Sequence, residues 1–354
     1  MKRYFVFILT VLLATVTTAS SQQIEWKDPS SHTVKFVTVD KDVQLEVLDW
    51  GGSGRPLVLL AGLGGTAHVY DDLAPLLTPR YRVVAITRRG HRGSSAANTG
   101  YEFARLAEDV IRVIDAVGVS RPIVIGHSFA GEEMHVLGAR YSEKIAGLVY
   151  LDAAFNRGDD SDSEAYNAVA RTLPGTPGPE PRDRASFAAL RTYLESAQGA
   201  AGPEAFLRTR YTTNPDGSIV GVWAPDLPVR QEITKAMQAA YSAYHPEPIR
   251  VPALAIYAVP KSVDDLMRRG SSDRTRLPQD FIAKTAEDPA LRERVEKLYQ
   301  LTRTRVDDHE KWFKMFAPKA QLAEISAPHF LFITNPTEVV RQFEAFVASL
   351  PERQ

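Results

Sequence analysis

The sequence contains no cysteine among its 354 residues. This absence excludes disulfide bonds, thiolate metal sites and a cysteine nucleophile. The chain also lacks a strong net charge, since 42 lysines and arginines are balanced by 43 aspartates and glutamates. A balanced surface offers no basic field to phosphates, so nucleic acid is not expected as a partner.

Long apolar runs are also scarce, and the clearest one lies near the N-terminus. Lys2 and Arg3 precede an apolar run that ends at Val16, and small polar residues follow it. This pattern is typical of a cleaved secretory signal peptide, which we predict at residues 1–21. A retained span would need about twenty apolar residues, and threonines interrupt this run. We therefore expect an exported protein, periplasmic or secreted, with no stable membrane span after signal removal.

The rest of the chain shows the alternating pattern of an α/β protein. Residues 33–49 alternate apolar and polar positions around a polar turn, which predicts an antiparallel hairpin at a sheet edge. Short apolar runs then alternate with segments of helical periodicity, such as Tyr101 to Val117, which indicates a mostly parallel central sheet flanked by helices. The strands predicted for this sheet are Leu57 to Ala61, Arg82 to Ile86, Pro122 to Ile125, Leu148 to Leu151, Ala253 to Tyr257 and Leu322 to Ile325.

Two long segments interrupt this alternation. Residues 156–250 contain several helical patterns of their own, and we predict that they form an inserted helical cap. A second insertion, at about residues 261–318, includes a charged helix from Pro289 to Phe316 that we interpret as solvent-facing rather than as a binding patch. The core is therefore predicted in two parts, residues 22–155 and 251–354.

Ser128 lies in the most informative five residues, Gly-His-Ser-Phe-Ala at positions 126–130, between a predicted strand and a helical stretch. A serine on a sharp strand-to-helix turn needs small residues two positions before and after it, because the strand and the helix approach closely there. Gly126 and Ala130 satisfy this need, although alanine replaces the usual second glycine. We interpret Ser128 as a nucleophile rather than as an ordinary turn serine.

Together with two glycine-rich loops, this turn resembles the α/β-hydrolase fold superfamily. RRGHRGSS at positions 88–95 looks like the family's loop after the preceding strand, and AGLGG at positions 61–65 looks like its oxyanion loop. The resemblance implies an α/β-hydrolase fold with an inserted helical cap, and an oxyanion hole formed by the backbone N–H groups of Leu63 and Phe129. Ser128 distinguishes the chain from the dehalogenases and epoxide hydrolases of this fold, which use a carboxylate nucleophile.

A serine hydroxyl needs a base within hydrogen-bond reach, and His329 is the favoured histidine. It follows a short predicted strand and precedes a final amphipathic helix near Pro336, an arrangement that resembles the family's catalytic segment. His68 and His91 lie on loops near the expected mouth of the site, where they could contact substrate. His127 is expected to pack beneath the turn.

The acid that would orient this base has two candidate positions. The family commonly places it after the strand at residues 253–257, but Asp264 and Asp265 lie several residues too late. Asp152 ends the preceding strand, at the carboxyl edge where a parallel sheet builds its site. We favour Asp152 as the residue that holds the imidazole in position, with Asp264 or Asp265 as the alternative.

These residues predict a serine hydrolase that cleaves a carboxylic ester or lactone through an acyl-enzyme intermediate. The chemistry needs no cofactor, and no histidine–carboxylate cluster with metal-ligand spacing is apparent in the sequence. The expected partner is a small, apolar acyl substrate, while the oligomeric state is left open. An amidase or peptidase of the same fold, a non-catalytic binding protein and cofactor-free chemistry such as peroxidation are the alternatives. Aromatic residues of the cap could line the pocket: Phe155, Tyr166, Phe206, Tyr211, Trp223, Tyr241 and Tyr244.

Overall fold

The computed structural model describes residues 26–158, 161–175, 177–242, 246–269 and 281–350. The predicted signal peptide at residues 1–21 lies outside these ranges, as do Tyr244 and His245. Ser31–Gln354 forms one compact unit, and every strand and helix named below belongs to it.

A mostly parallel sheet forms the centre of the fold, as predicted. Its strands and a separate small hairpin are β1 (Thr33–Asp40), β2 (Val43–Gly51), β3 (Arg55–Leu60), β4 (Tyr81–Ile86), β5 (Ile123–His127), β6 (Gly147–Leu151), β7 (Tyr211–Thr213), β8 (Ile219–Val222), β9 (Ala253–Ala258) and β10 (Gln321–Ile325). The eight-stranded sheet has the order β1-β2-β4-β3-β5-β6-β9-β10. The β1–β2 and β2–β4 pairs are antiparallel and the others are parallel, so the predicted edge hairpin is confirmed.

Helices cover both faces of this sheet. They are α1 (Ala74–Leu77), α2 (Phe103–Ala116), α3 (Ala130–Arg140), α4 (Ser161–Ala170), α5 (Phe187–Gln198), α6 (Glu204–Arg210), α7 (Leu227–Ser242), α8 (Val263–Arg269), α9 (Phe281–Glu287), α10 (Pro289–Phe316), α11 (Leu331–Thr334) and α12 (Pro336–Ala348). Within β3, Leu57 and Leu59 join an apolar cluster that includes residues of α1 and α12. Val58 and Leu60 join a second cluster with residues of α2 and α3. The continuous apolar strands therefore follow from burial on both faces.

The two predicted insertions pack against each other. Tyr166 and Val169 of α4 share one apolar cluster with Leu266 of α8 and Val295 and Leu298 of α10. The helix α10 has the predicted bounds. Its apolar residues near the start face this cluster, whereas Val306 and Phe313 join the cluster of the central sheet that contains Val58 and Leu60. No helix in the described ranges has both the length and the apolar character needed to cross a membrane.

The sequence analysis missed one element, the β7–β8 hairpin inside the cap. Its turn contains Asn214, Asp216 and Gly217, and Gly217 has a positive φ of 86°. Asn-Pro-Asp-Gly between two β-prone segments is a turn signal. The helical pattern of residues 204–210 runs directly into the first strand and obscures the signal.

Candidate active site

The turn between β5 and α3 holds Ser128 in a left-handed backbone conformation, with a φ of 53°. A residue other than glycine rarely adopts this region unless the surrounding structure enforces it. Here the Ser128 N–H donates to the carbonyl oxygen of Leu151 in β6 at 3.3 Å, and the Gly131 N–H donates to the Ser128 carbonyl at 3.0 Å. The turn is thus tied both to the neighbouring strand and to the helix that follows.

Close packing explains the small residues around the serine. A Cβ atom at Gly126 would lie 2.2 Å from the Met134 sulfur and 2.8 Å from the Ala130 Cβ. A Cβ atom at Gly131 would lie 2.0 Å from the carbonyl oxygen of Ala153. The obstacle at 131 is a backbone oxygen, so glycine is needed there, whereas a larger residue at 126 would have to displace the Met134 side chain and crowd the Ala130 methyl group.

Asp152 and His329 come together at the carboxyl end of the sheet, although 177 residues separate them. The His329 Nδ1 lies 2.6 Å from Asp152 Oδ2, and the Ala258 N–H donates to Asp152 Oδ1 at 3.0 Å. Asp152 also has a positive φ, 46°, and its side chain is 3% exposed whereas that of His329 is 24% exposed. The carboxylate is therefore buried and held from both sides, while the imidazole remains partly accessible.

The alternative acids lie elsewhere. The Asp264 side chain is 62% exposed and lies 3.9 Å from Arg292. Asp265 accepts hydrogen bonds from the Lys261 N–H and from the Ser326 hydroxyl. Among the described residues, Asp152 is the carboxylate that bonds to His329.

His127 contacts the catalytic candidate His329 directly, which sequence reasoning did not foresee. Its ring centroid lies 4.4 Å from that of His329, and its Nε2–H donates to the His329 carbonyl oxygen at 3.1 Å. Burial holds the pKa of His127 well below its usual range, and positive charge on His329, Arg157 and Arg210 adds to the effect. A neutral ring that carries its proton on Nε2 suits this hydrogen bond.

The loop at residues 61–65 lies against the serine turn. A Cβ atom at Gly62 would be 3.1 Å from the Ser128 Cβ, so the backbone passes directly over the nucleophile candidate. In the described part of the chain, the N–H groups of Leu63 and Phe129 donate to no acceptor. Both amides therefore remain available to a bound oxygen.

His91 and Arg88 each form a hydrogen bond with the backbone of this loop. The Gly64 N–H donates to His91 Nε2 at 3.0 Å, and His91 Nδ1 donates to the Arg89 carbonyl at 3.1 Å. Burial lowers the pKa of His91 to about 4, with the nearby Arg88 charge as a second cause. Arg88 donates to the Ala61 carbonyl at 2.9 Å and lies 5.0 Å above the Phe129 ring. His91 is 5% exposed, and its Nε2 bonds to the loop, so the contact shown is with the protein itself.

The cap reaches the same region through α6 and α7. Arg210 donates to the Gly64 carbonyl at 3.3 Å. Tyr241 lies 5.8 Å from Phe103, whose ring in turn lies 5.5 Å from that of Phe129. Of the other cap aromatic residues considered as pocket lining, Tyr166 belongs to the shared helical cluster and Phe155 packs on Tyr257 and His309. Of the remaining described members, Phe206 is buried and Tyr211 is half-buried against the apolar cluster that contains Leu57 and Leu59, and Trp223 is half-buried.

A second histidine–aspartate cluster, which sequence reasoning missed, is formed by His32, His68 and Asp71. Asp71 accepts hydrogen bonds from His32 Nδ1 and His68 Nδ1, each at 3.0 Å. Burial by itself would raise the pKa of Asp71, but the two imidazoles outweigh burial and leave that pKa below its usual value. The spacing His68-x-x-Asp71 was visible, whereas His32 lies 36 positions earlier. His68 is 8% exposed, and its Nδ1 bonds to Asp71.

Comparisons with known proteins agree with this architecture. The sequence profile of the α/β-hydrolase fold family matches residues 55–192, which include Ser128 and Asp152. The chain is similar to a serine hydrolase-like protein of Danio rerio, with 38% identity over 106 residues, and to a fluoroacetate dehalogenase of a Burkholderia species, with 32% over 107 residues. Each alignment covers 29% of this chain, and they cover 32% and 35% of the two relatives. The chain thus spans about a third of the length of these curated relatives.

Solved structures resemble the chain over most of its length. An E-2-(acetamidomethylene)succinate hydrolase has a TM-score of 0.59 at 16% identity and covers 90% of this chain and 100% of its own. A marine microorganism esterase has a TM-score of 0.54 at 19% identity and covers 86% and 100%. At such low identity, the likeness shows the fold alone.

Proposed function

This chain belongs to the α/β-hydrolase fold superfamily, and from that premise we propose that it is a serine hydrolase acting on a carboxylic ester or lactone. The observation that carries the proposal is the 2.6 Å hydrogen bond between His329 and Asp152, at the same sheet edge as the strained turn of Ser128. Acyl transfer needs this combination of nucleophile, base and orienting acid. The sequence-based choice of Asp152 over Asp264 or Asp265 is supported by the same bond.

In the proposed reaction, the Ser128 Oγ attacks the substrate carbonyl carbon while His329 Nε2 takes the hydroxyl proton. The charged imidazole keeps its Nδ1–H on Asp152, which stays ionised. The former carbonyl oxygen becomes an oxyanion and accepts hydrogen bonds from the N–H groups of Leu63 and Phe129. The bond to the leaving alcohol then breaks as His329 donates the proton to it. Water releases the acyl group by the same steps, with His329 as base.

The proposed substrate is small, with an apolar portion next to the oxyanion loop. Leu63 supports this because its side chain is 46% exposed although it stands in the loop that passes the nucleophile. A large exposed apolar side chain at a proposed site favours contact with an apolar ligand group. The export of the enzyme to the periplasm or medium remains part of the proposal, because it depends on residues 1–21.

The direct test is hydrolysis of p-nitrophenyl esters, from acetyl to octanoyl, by purified protein. We expect wild-type turnover and a loss of about 10⁴-fold or more in kcat for Ser128→Ala and His329→Gln. Asp264→Asn is the matched control, because that carboxylate is exposed, and it should retain wild-type kcat.

A fluorophosphonate that labels activated serines provides a second readout. Labelling of wild type but not of Ser128→Ala, without ester turnover, would indicate an amidase or another narrow acyl specificity. No labelling and no turnover would reject the serine-hydrolase proposal in favour of a binding protein or different chemistry.

A further inference from the structure

The cluster of His32, His68 and Asp71 has no part in the proposed hydrolysis, yet it brings three metal-ligating side chains together. One donor atom from each lies within 4.8 Å of those of the other two. The side chains are almost fully buried, with 3% exposure for His32 and Asp71 and 10% for His68. Buried side chains have already lost their rotamer freedom, so binding an ion would cost little further ordering.

We propose that His32, His68 and Asp71 form a structural binding site for Zn²⁺. Imidazole nitrogen and carboxylate oxygen are preferred zinc ligands, at about 2.0–2.2 Å from the ion. Ligands at that radius stand roughly 3–4 Å from one another in a tetrahedron, and both Nδ1 atoms lie 3.0 Å from the carboxylate. Small side-chain movements therefore suffice to admit the ion.

The protonation states of the two histidines also allow zinc to replace their hydrogen bonds to Asp71. Each Nδ1 now points at Asp71, so zinc would bind through Nδ1 while the proton of each neutral ring moves to Nε2. Histidines that bind metals usually donate their other ring N–H to a carboxylate, carbonyl or water. The His68 Nε2 lies 4.0 Å from Glu46 Oε1, and Glu46 is itself held by the Thr87 hydroxyl at 2.6 Å. At 4.0 Å the two atoms form no hydrogen bond, so Glu46 would have to move toward His68 to accept its N–H.

The site would join two segments that are distant in sequence. His32 immediately precedes β1, whereas His68 and Asp71 lie just after the loop that passes Ser128. The rings are already oriented, because His32 packs edge-on against Trp50 at 5.2 Å and against His68 at 5.1 Å. Zinc at this point would hold the start of the edge hairpin against the centre of the fold, so its main effect would be on stability.

The test is zinc binding by the full protein after treatment with a chelator and dialysis, measured by titration against a chromophoric chelator and by elemental analysis. We expect one Zn²⁺ per chain and a melting temperature several degrees higher with zinc. His68→Gln and Asp71→Asn should each weaken binding about 100-fold or more. His135→Gln is the matched control, because that buried histidine contacts the Glu247 carbonyl instead.

Two further measurements keep the proposal falsifiable. Cobalt(II) bound to wild type should give the intense visible absorption of a tetrahedral site, which needs no variant. Glu310→Gln tests an exposed carboxylate cluster with Asp307 and Glu324 that could also attract cations. The proposal is overturned if wild type takes up no zinc, if binding is lost in Glu310→Gln, or if folded His68→Gln and His32→Gln bind as tightly as wild type. Ester turnover tests the proposed hydrolysis separately.

Discussion

The described residues form two histidine–aspartate arrangements that differ in the number of imidazoles on the carboxylate and in the exposure of those imidazoles. Asp152 bonds to one imidazole, that of His329, and uses its other oxygen to accept the Ala258 N–H. Asp71 bonds to two imidazoles, one on each oxygen. The His329 side chain is 24% exposed, whereas His32 and His68 are 3% and 10% exposed.

This difference explains why only one arrangement suits proton transfer. A general base must present its second nitrogen to a substrate or nucleophile, and partial exposure of His329 permits this. The imidazoles on Asp71 are enclosed and converge on one carboxylate, which suits a fixed ion or a structural network. Histidine and aspartate are therefore suited to proton transfer in one place and to a fixed ion or structural network in the other. The burial of the imidazoles and the number of imidazoles on each carboxylate make the difference.

The largest expected effect separates the two aspartates by function. Asp152→Asn should lower kcat by about 10⁴-fold, because an amide no longer holds the Nδ1–H tautomer of His329. Asp71→Asn should leave kcat near the wild-type value and lower the melting temperature instead. Ester kinetics and thermal unfolding of both variants provide the measurement. An equal loss of kcat in folded Asp71→Asn would break the comparison.

The pH dependence of stability tests a third kind of histidine, the buried and neutral His91. Its pKa is about 4 in the folded protein and roughly 6.5 in an unfolded chain. The unfolded state therefore binds the extra proton between these values. The free energy of unfolding should fall by about 3 kcal/mol as pH drops from 6.5 to 4, and this contribution is fully present above pH 6.5.

Urea unfolding of wild type and His91→Gln at pH 7 and pH 4.5 checks this prediction. Carboxylates titrate in both proteins, so the difference between their pH dependences isolates the imidazole. We expect the smaller dependence in the variant. Identical dependences would show that the Gly64–His91 contact does not hold a neutral ring.

The third prediction concerns the close contact between Gly131, just after the serine turn, and Ala153, just after Asp152. Gly131→Ala forces a Cβ atom against the Ala153 carbonyl oxygen, with a separation of 2.0 Å before any relaxation. We expect a loss of about 1–3 kcal/mol in unfolding free energy and reduced kcat. Gly175→Ala is the matched control, because nothing lies within 4 Å of its Cβ position. Similar stability of both variants in denaturant unfolding would argue against this close contact.

The smallest predicted effect concerns the support of His329 by its neighbour. His127→Phe retains an aromatic ring but removes the Nε2–H that donates to the His329 carbonyl. A net hydrogen bond is worth about 1 kcal/mol, so kcat should fall about fivefold with little change in KM. His135→Phe removes a comparable buried hydrogen bond away from the site and should leave kcat unchanged. Equal effects of the two substitutions would assign His127 to general stability.

Much of the fold could be predicted because its signals are local. Apolar runs of four to six residues alternating with helical periodicity predict a parallel sheet, and β3, β5 and β9 lie where that pattern indicates. The start of the long helix α10 has a local signal, because Asp288 caps its first turn ahead of Pro289. The β7–β8 hairpin could not be separated from α6, since helix and strand preferences change within a few residues there.

By itself the sequence determined the sheet, the helices and the candidacy of Ser128 and His329, because these follow from periodicity and from residues next to a strand end. The choice among Asp152, Asp264 and Asp265 depended on which carboxylate the β6–β9 pairing brings to His329. Three further features likewise appear only in three dimensions: the contact of His127 with His329, the bond of His91 to the loop at residues 61–65, and the cluster at Asp71. Each joins segments far apart in the chain, and only the packing of the sheet and its loops decides which distant side chains meet.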